Sequence, residues 1–529
     1  MNQQPVTIDN WLQVFAIFAL GLVLSWALIG VILKRAEKGL GVSRERDFHH
    51  GHKTPIPRLG GVAIATAFVA VGLAIYFCTA VPDSGVRTLA TIIFGCLSMF
   101  GLGFWDDIRP IGAKLKLAAQ IGIATLVYFS NIRIELFSNP FGDGNVELGS
   151  LGYLATVLWL VGLTNLINLI DGIDGLAGGI GLMLMLLMAN LGVTDHLGFT
   201  MLLSVGVAGA LFGFLKFNYP PARIYMGDGG AYFLGFLIGI LSIVNSNKGT
   251  VAAALIAPAF ALALPIVDVG LAILRRSSRG LPIFRPDQKH IHHHLLITLG
   301  ISRERTLLNL YTVSLLCLFL ALCVFCLQGR LLPLYTGLLF LVLLIAGHMS
   351  GFTKNWLQIG SQLGNSLRLR KQTHYALTLD RWFLLEAERR DSLDELWEDY
   401  QFVVRKLGFV SLKLTRPNGA VRCWKVDGFE LVDEPLHAAH EISDGTIIEL
   451  GAVKAAMSEE LFTLLGDLVA EMWYKASALF RQREKSRRRE IAPPAAAGTA
   501  GPDGVIATLS PRGKLIRDPL CIESIPNSP

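Results

Sequence analysis

The sequence predicts an all-α polytopic membrane protein of about eleven transmembrane helices, with its N-terminus outside, its C-terminus cytoplasmic and a small cytoplasmic α/β domain at the end. Three observations carry this. Apolar residues make up 52% of the 529 residues, too many for an ordinary soluble globule. Up to about residue 348 they gather into stretches near 20 residues long, the length a helix needs to cross the hydrocarbon core. Lys and Arg crowd into alternate connections between those stretches, as the positive-inside rule requires.

The first span covers 11–33. Asp9 and no Lys or Arg precedes it, whereas a cleaved signal peptide opens on a positive region, so the span is read as uncleaved. Ten more follow at 59–80, 88–104, 115–130, 151–167, 176–192, 200–216, 231–245, 251–274, 307–327 and 331–348. The connection after the first span holds Lys34, Arg35, Lys38, Arg44, Arg46, Lys53 and Arg58. The one after the ninth holds Arg275, Arg276, Arg279, Arg285, Lys289, Arg303 and Arg305. Arg109, Lys114 and Lys116 lie between the third and fourth. The alternate set has little beyond Arg87, Arg133, Lys248 and Arg330. Odd-to-even connections are therefore assigned to the cytoplasm. A net charge of +6, scattered in this way, does not point to nucleic acid. Cys323-x-x-Cys326 has redox spacing but sits inside an apolar span without the βαβ context of a redox motif, so it is read as packing, and no structural disulfide is expected.

The unusual residues all fall in odd-to-even connections. They are Lys53–Gly61 (KTPIPRLGG), Asp106-Asp107, Asn165–Gly179 (NLINLIDGIDGLAGG), Met226–Gly230 (MGDGG) and His290–His294 (HIHHH). Any one could be a polar turn. Five on one predicted face read as one composite site. In the Asn165–Gly179 stretch the amides Asn165 and Asn168 are three apart, as are Asp171 and Asp174, so each pair would share a face of a helix. Amide and carboxylate oxygens suit a hard cation such as Mg²⁺. Lys114, Lys116 and the histidines supply the cationic groups that a diphosphate needs. Zinc is disfavoured, because no cysteine lies near the histidines. Asp268, inside the ninth span, reads equally as a functional carboxylate or as a structural partner of Arg275 or Arg276.

Across residues 10–348 these motifs, with GFWDDIRPIGAKLK (103–116) and the Pro265-x-x-Asp268 pair, make the chain resemble the polyprenyl-phosphate N-acetylhexosamine-1-phosphate transferases of glycosyltransferase family 4 type. HIHHHL and MGDGG are closer to the undecaprenyl-phosphate GlcNAc-1-phosphate branch. The resemblance implies a multi-pass enzyme of the bacterial inner membrane with its active site on the cytoplasmic face. It would transfer an N-acetylhexosamine-1-phosphate, GlcNAc-1-phosphate first, from a UDP-sugar to undecaprenyl phosphate, releasing UMP and starting a cell-envelope glycan such as O-antigen. It also implies roles. Asn168 and Asp228 would hold Mg²⁺, with Mn²⁺ as the alternative. Asp174 would read uracil, and Lys116 would contact the pyrophosphate. Asp106 and Asp107 would lie near the lipid phosphate, one of them a candidate base. His290, His292 and His293 would bind phosphate or sugar, and Asp171 would belong to the site without an assigned role.

Other readings are weighed against this one. The donor could be UDP-GalNAc or a FucNAc or QuiNAc nucleotide. Polyprenyl synthesis fails, because Asp106-Asp107 is followed by Pro110 where DDxxD needs an Asp, and the DGxxAR of CDP-alcohol phosphotransferases is missing. A non-catalytic transporter would place its ionisable groups near the bilayer midplane, and only Asp268 sits there. The partners expected are the UDP-sugar, undecaprenyl phosphate and membrane lipids, with a homo-oligomer left open.

The domains are therefore read as 1–350 membrane, 351–485 soluble accessory and 486–529 disordered tail. In the accessory region a basic entry (Arg368, Arg370, Lys371) precedes a helical pattern around 391–400, strands at 409–414, 420–426 and 446–450, and a helix over 458–480. That order resembles a GAF-like module. Arg481–Arg489 is read as a solvated charge run.

Overall fold

The computed structural model describes residues 11–37, 56–79, 81–138, 145–194, 198–246, 258–280, 302–326, 332–349, 359–426, 435–442 and 445–491. The membrane part consists of α1 (Trp11–Ala36), α2 (Gly60–Cys78), α3 (Asp83–Ile108), α4 (Ala113–Phe129), α5 (Leu151–Ile170), α6 (Leu176–Thr194), α7 (Gly198–Asn218), α8 (Gly227–Ser246), α9 (Ala263–Arg279), α10 (Arg303–Cys326) and α11 (Leu332–Met349). Each predicted span overlaps a helix, although residues 251–257 of the ninth lie outside the described ones and its helix runs on to Arg279. Eight of these helices are long and apolar enough to cross a bilayer. The other three, α4, α9 and α11, are shorter or interrupted: α4 and α9 have 17 residues each, and α11 has an apolar stretch of only Leu334–Ile345. A two-stranded antiparallel hairpin, β1 (Leu136–Ser138) with β2 (Asn145–Glu147), joins α4 to α5.

The bundle is built around α8. Every residue of this helix except Asp228 is buried, and α2, α3, α5 and α6 pack around it. A helix apolar on all sides belongs in an interior. Between membrane helices, close approach rather than hydrophobic drive holds the contact, so small residues mark it. Gly103 of α3 is such a point. A Cβ there would lie 2.6 Å from the Asp228 carbonyl carbon and 2.7 Å from the Gly229 Cα, both backbone atoms that cannot rotate away. Gly103→Ala is expected to push α3 from α8 and cost ~1–3 kcal/mol, the range for overpacking. A lowered thermal midpoint in detergent is the check.

The C-terminal region has its own hydrophobic cluster. Helix α12 (Ile359–Arg389) packs against α13 (Leu393–Lys406) and α14 (Glu459–Ile491), and α14 packs on β5 (Pro435–Glu441) and β6 (Ile447–Val453) of a sheet ordered β4-β3-β6-β5, with β3 (Ser411–Thr415) and β4 (Val421–Lys425). All pairings are antiparallel, so the arrangement is helices packed on an antiparallel sheet and not the α/β class expected. Ser392 caps α13, its Oγ accepting from the Glu395 amide at 3.2 Å, the first half of a capping box. Tyr400, Phe383, Trp397 and Trp473 fill the centre. The stretch read as a basic entry is the 31-residue α12. The final helix runs to Ile491, past residue 485 where the folded region was expected to end. Residues 492–529 lie outside the described ones.

Candidate active site

Five chain segments meet at one end of the bundle. They are the C-terminal end of α3, the start of α4, the end of α5 with the turn after it, and the start of α8 together with the strand-like approach Ile56–Leu59. That approach is fixed by backbone: the Gly60 and Gly61 amides donate to Tyr225 and Met226 carbonyls at 2.9 Å.

Asp228 sits at the centre, on the first turn of α8. Asn168 Nδ2 donates to its Oδ1 at 3.0 Å, and Lys116 Nζ lies 3.8 Å from its Oδ2. Lys116 also pairs with Asp106 Oδ2, whose Oδ1 accepts from the Ile111 amide at 2.7 Å. Exposure separates these groups. Lys116 and Asp228 keep 24% and 28% of their side-chain surface, whereas Asp106 keeps 2%. A ligand can therefore reach Lys116 and Asp228 directly, while Asp106 acts through Lys116.

The adjacent Asp107 is committed elsewhere. Its Oδ1 accepts from the Asp228 amide at 3.1 Å and its Oδ2 from the Gly229 amide at 3.0 Å. The first amides of a helix have no partner within the helix, and a carboxylate at that end also complements the helix dipole. Asp107 thus caps α8 from another helix. Of the two neighbouring carboxylates read together as candidate bases, one is a structural cap and the other half of an ion pair.

The turn after α5 adds Asp171 and Asp174. Burial first, then the carboxylates of Asp228 and Asp107, hold the Asp171 carboxyl well above the usual carboxylate range, with Arg58 pulling the other way. Asp171 therefore stands within electrostatic reach of the cluster. Asp174 is buried, and its Oδ2 accepts from the Ala222 amide at 3.1 Å. Asn165 does not reach Asp228. Its Nδ2 donates to Gln120 Oε1 at 2.7 Å, tying α5 to α4 one turn deeper.

Of the residues expected at the site, Asp106, Asp107, Lys116, Asn168 and Asp228 form one bonded network, with Asp171 in its field. Asp174 borders the network through the Pro220–Ala222 turn. His290, His292 and His293 lie outside the described residues, as does Lys53. Asp268 is apart. With Leu169, Ile170, Leu264 and Ser314 it lines an apolar pocket between α5, α6, α9 and α10. Gln120 and Asn218 were not singled out from sequence. A lone amide inside an apolar run was the available signal for Gln120, and an amide closing the apolar α7 was the signal for Asn218.

Among the described residues no three His, Cys, Asp or Glu side chains are close enough to hold a metal by themselves. Asn168 and Asp228 nevertheless place an amide and a carboxylate side by side. That donor set fits Mg²⁺, which takes one or two protein oxygens and leaves its other positions to water and phosphate.

Residues 89–246, the stretch from α3 to α8 that builds this network, match the family described as glycosyl transferase family 4. The chain is 32% identical over 309 residues to a probable undecaprenyl-phosphate N-acetylglucosaminyl 1-phosphate transferase of Bacillus subtilis, covering 58% of this chain and 83% of the relative. It is 31% identical to a decaprenyl-phosphate N-acetylglucosaminephosphotransferase of Mycobacterium leprae, covering 54% and 76%. A phospho-N-acetylmuramoyl-pentapeptide-transferase of Oceanobacillus iheyensis is 29% identical, with 54% and 88% covered.

Proposed function

Since the chain belongs to glycosyl transferase family 4, alongside membrane sugar-phosphate transferases that act on polyprenyl phosphates, we propose that it moves GlcNAc-1-phosphate from UDP-GlcNAc to undecaprenyl phosphate. The products are undecaprenyl-diphosphate-GlcNAc and UMP, and the step initiates an envelope glycan such as O-antigen on the cytoplasmic face of the inner membrane. The observation that carries this reading is Asp228, held between Asn168 and Lys116 at the one position of the central helix that is not buried.

In this reading a non-bridging oxygen of the lipid phosphate forms a bond to the β-phosphorus of the nucleotide sugar. The bond from that phosphorus to the bridging oxygen breaks, and UMP leaves with the electron pair. The second pKa of a phosphate monoester is about 6, so the nucleophile is largely ionised near neutral pH and needs little help from a base. The work left for the protein is positioning and charge neutralisation. Lys116 meets the diphosphate, and Asp106 orients Lys116. Asp107 holds the α8 end at which Asp228 stands. Asp174 reads the uracil ring, and His290, His292 and His293 meet phosphate or sugar. Asn168 and Asp228 hold Mg²⁺, which when bound neutralises diphosphate charge.

The test uses the full chain in detergent with undecaprenyl phosphate and Mg²⁺, offering UDP-GlcNAc, UDP-GalNAc and UDP-MurNAc-pentapeptide in separate reactions. The expected result is UMP release with UDP-GlcNAc that requires the lipid and stops on chelation with EDTA. Preference for another donor would move the chain to another branch, and release with none of the three would overturn the reading.

A further inference from the structure

One side chain reaches the acid-bearing turn from a helix that the reaction above does not use. We propose that Tyr311 of α10 is a positioning residue for the nucleotide-sugar half of the site, acting by clamping Gly175. The proposal rests on the transferase reading for the identity of that half.

Gly175 follows Asp174 and has φ +82°, a conformation that side chains disfavour. Something outside the turn must hold it there, and both of its polar groups are held. Its amide donates to Asn218 Oδ1 at 2.9 Å. Its carbonyl accepts the α6 amide of Gly179 at 2.9 Å and also the Tyr311 hydroxyl at 2.6 Å. Asn218 in turn donates to the Ile224 carbonyl at 2.8 Å, and Asp174 accepts from Ala222. The Asp171–Gly175 turn is thereby locked to the segment that leads into Gly227 and Asp228.

Tyr311 is the member of this lock that comes from farthest away. It lies 136 residues from Gly175, on the helix that follows the connection bearing His290, His292 and His293. The fit is close. A Cβ on Gly179 would overlap the Tyr311 hydroxyl and ring, and Leu307, one turn earlier on α10, packs against Gly175. One hydroxyl thus ties the chain just after the histidine connection to the turn that carries two site carboxylates. Simple packing would require only the ring. The bond to Gly175 requires the hydroxyl.

Tyr311→Phe separates the two, since it keeps the ring and removes one oxygen. With the full chain in detergent, the expected result is a rise of about tenfold in KM for UDP-GlcNAc, the size of one lost hydrogen bond to a ligand-binding turn. The KM for undecaprenyl phosphate and the thermal midpoint should stay near wild type. Gly179→Ala, whose Cβ would overlap the Tyr311 hydroxyl and so force it off the Gly175 carbonyl, should raise the same KM and serves if Tyr311→Phe does not fold. An unchanged donor KM in both variants, or equal losses for both substrates with a lowered midpoint, would overturn the proposal. Wild-type protein that neither binds nor turns over any UDP-amino sugar would fail the transferase reading and take this inference with it. An active wild type with an indifferent Tyr311→Phe would fail the inference alone.

Discussion

Asp228→Asn is expected to lower UMP release by at least about a hundredfold, the scale for losing a preorganised charge-stabilising group, and to leave the fold intact. The two parts of this expectation come from different atoms. In the proposed reaction, catalysis depends on the Asp228 carboxylate, which faces Asn168 and Lys116 and keeps part of its surface open. The fold depends on the Asp228 amide, which donates to Asp107 and is unchanged by the substitution. Asparagine has the same size and keeps one oxygen, so no cavity forms. It loses the negative charge, and with it both the attraction to Lys116 and the anionic ligand proposed for Mg²⁺. UMP release measured beside a thermal unfolding curve checks both halves. A variant that retains more than a tenth of wild-type turnover would remove Asp228 from the centre of the reaction.

Asp107→Ala should do damage of a different kind. It removes the acceptor for two amides at the start of α8. Losing a helix cap costs roughly 1–2 kcal/mol, and each buried donor left unpaired costs a further ~1–3 kcal/mol. A total on the order of 3 kcal/mol is expected, read as a lower thermal midpoint. Turnover should fall with it, by about a hundredfold, because Asp228 stands on the end that is no longer held. Asp107→Asn, which keeps one acceptor oxygen, should sit between wild type and Asp107→Ala in both measurements. If Asp107→Ala kept the wild-type midpoint and lost only turnover, Asp107 would be a reacting group and not a cap.

This contrast shows where the sequence stopped being informative. Asp106 and Asp107 are neighbours and chemically identical, and only the packing of α3 on α8 turns one toward Lys116 and the other toward the Asp228 amide. Most of the helices were readable, because eight of them are apolar runs long enough to cross a bilayer. Which of them lies at the centre was not. Lipid tails are as apolar as a protein interior, so α8 and the outward-facing α1 look alike in composition, although every residue of α8 except Asp228 is buried and only five of α1 are. The convergence of the Asp, Asn and Lys motifs was legible through the alternation of charged connections, and the described members do meet. In the C-terminal region β5 was missed because Pro435-Leu-His-Ala-Ala-His-Glu441 has little β-branched or aromatic character. Its place in the sheet comes from pairing with β6. The helix α12 was missed because its first residues read as a basic linker.

The burial of α8 also bears on how the protein should answer to its surrounding membrane. A hydrophobic helix in contact with lipid tilts or shifts when the bilayer thickens or thins, at a fraction of a kcal/mol per ångström of mismatch. The helix that carries Asp228 touches protein on every side, so no such force acts on it directly. Helices with broad outward apolar faces, such as α1 with Trp11, Phe15 and Trp26, take up the mismatch first. Metal and nucleotide affinity should therefore hold steady across bilayers of different acyl length, while any step that depends on the rim of the bundle is free to vary.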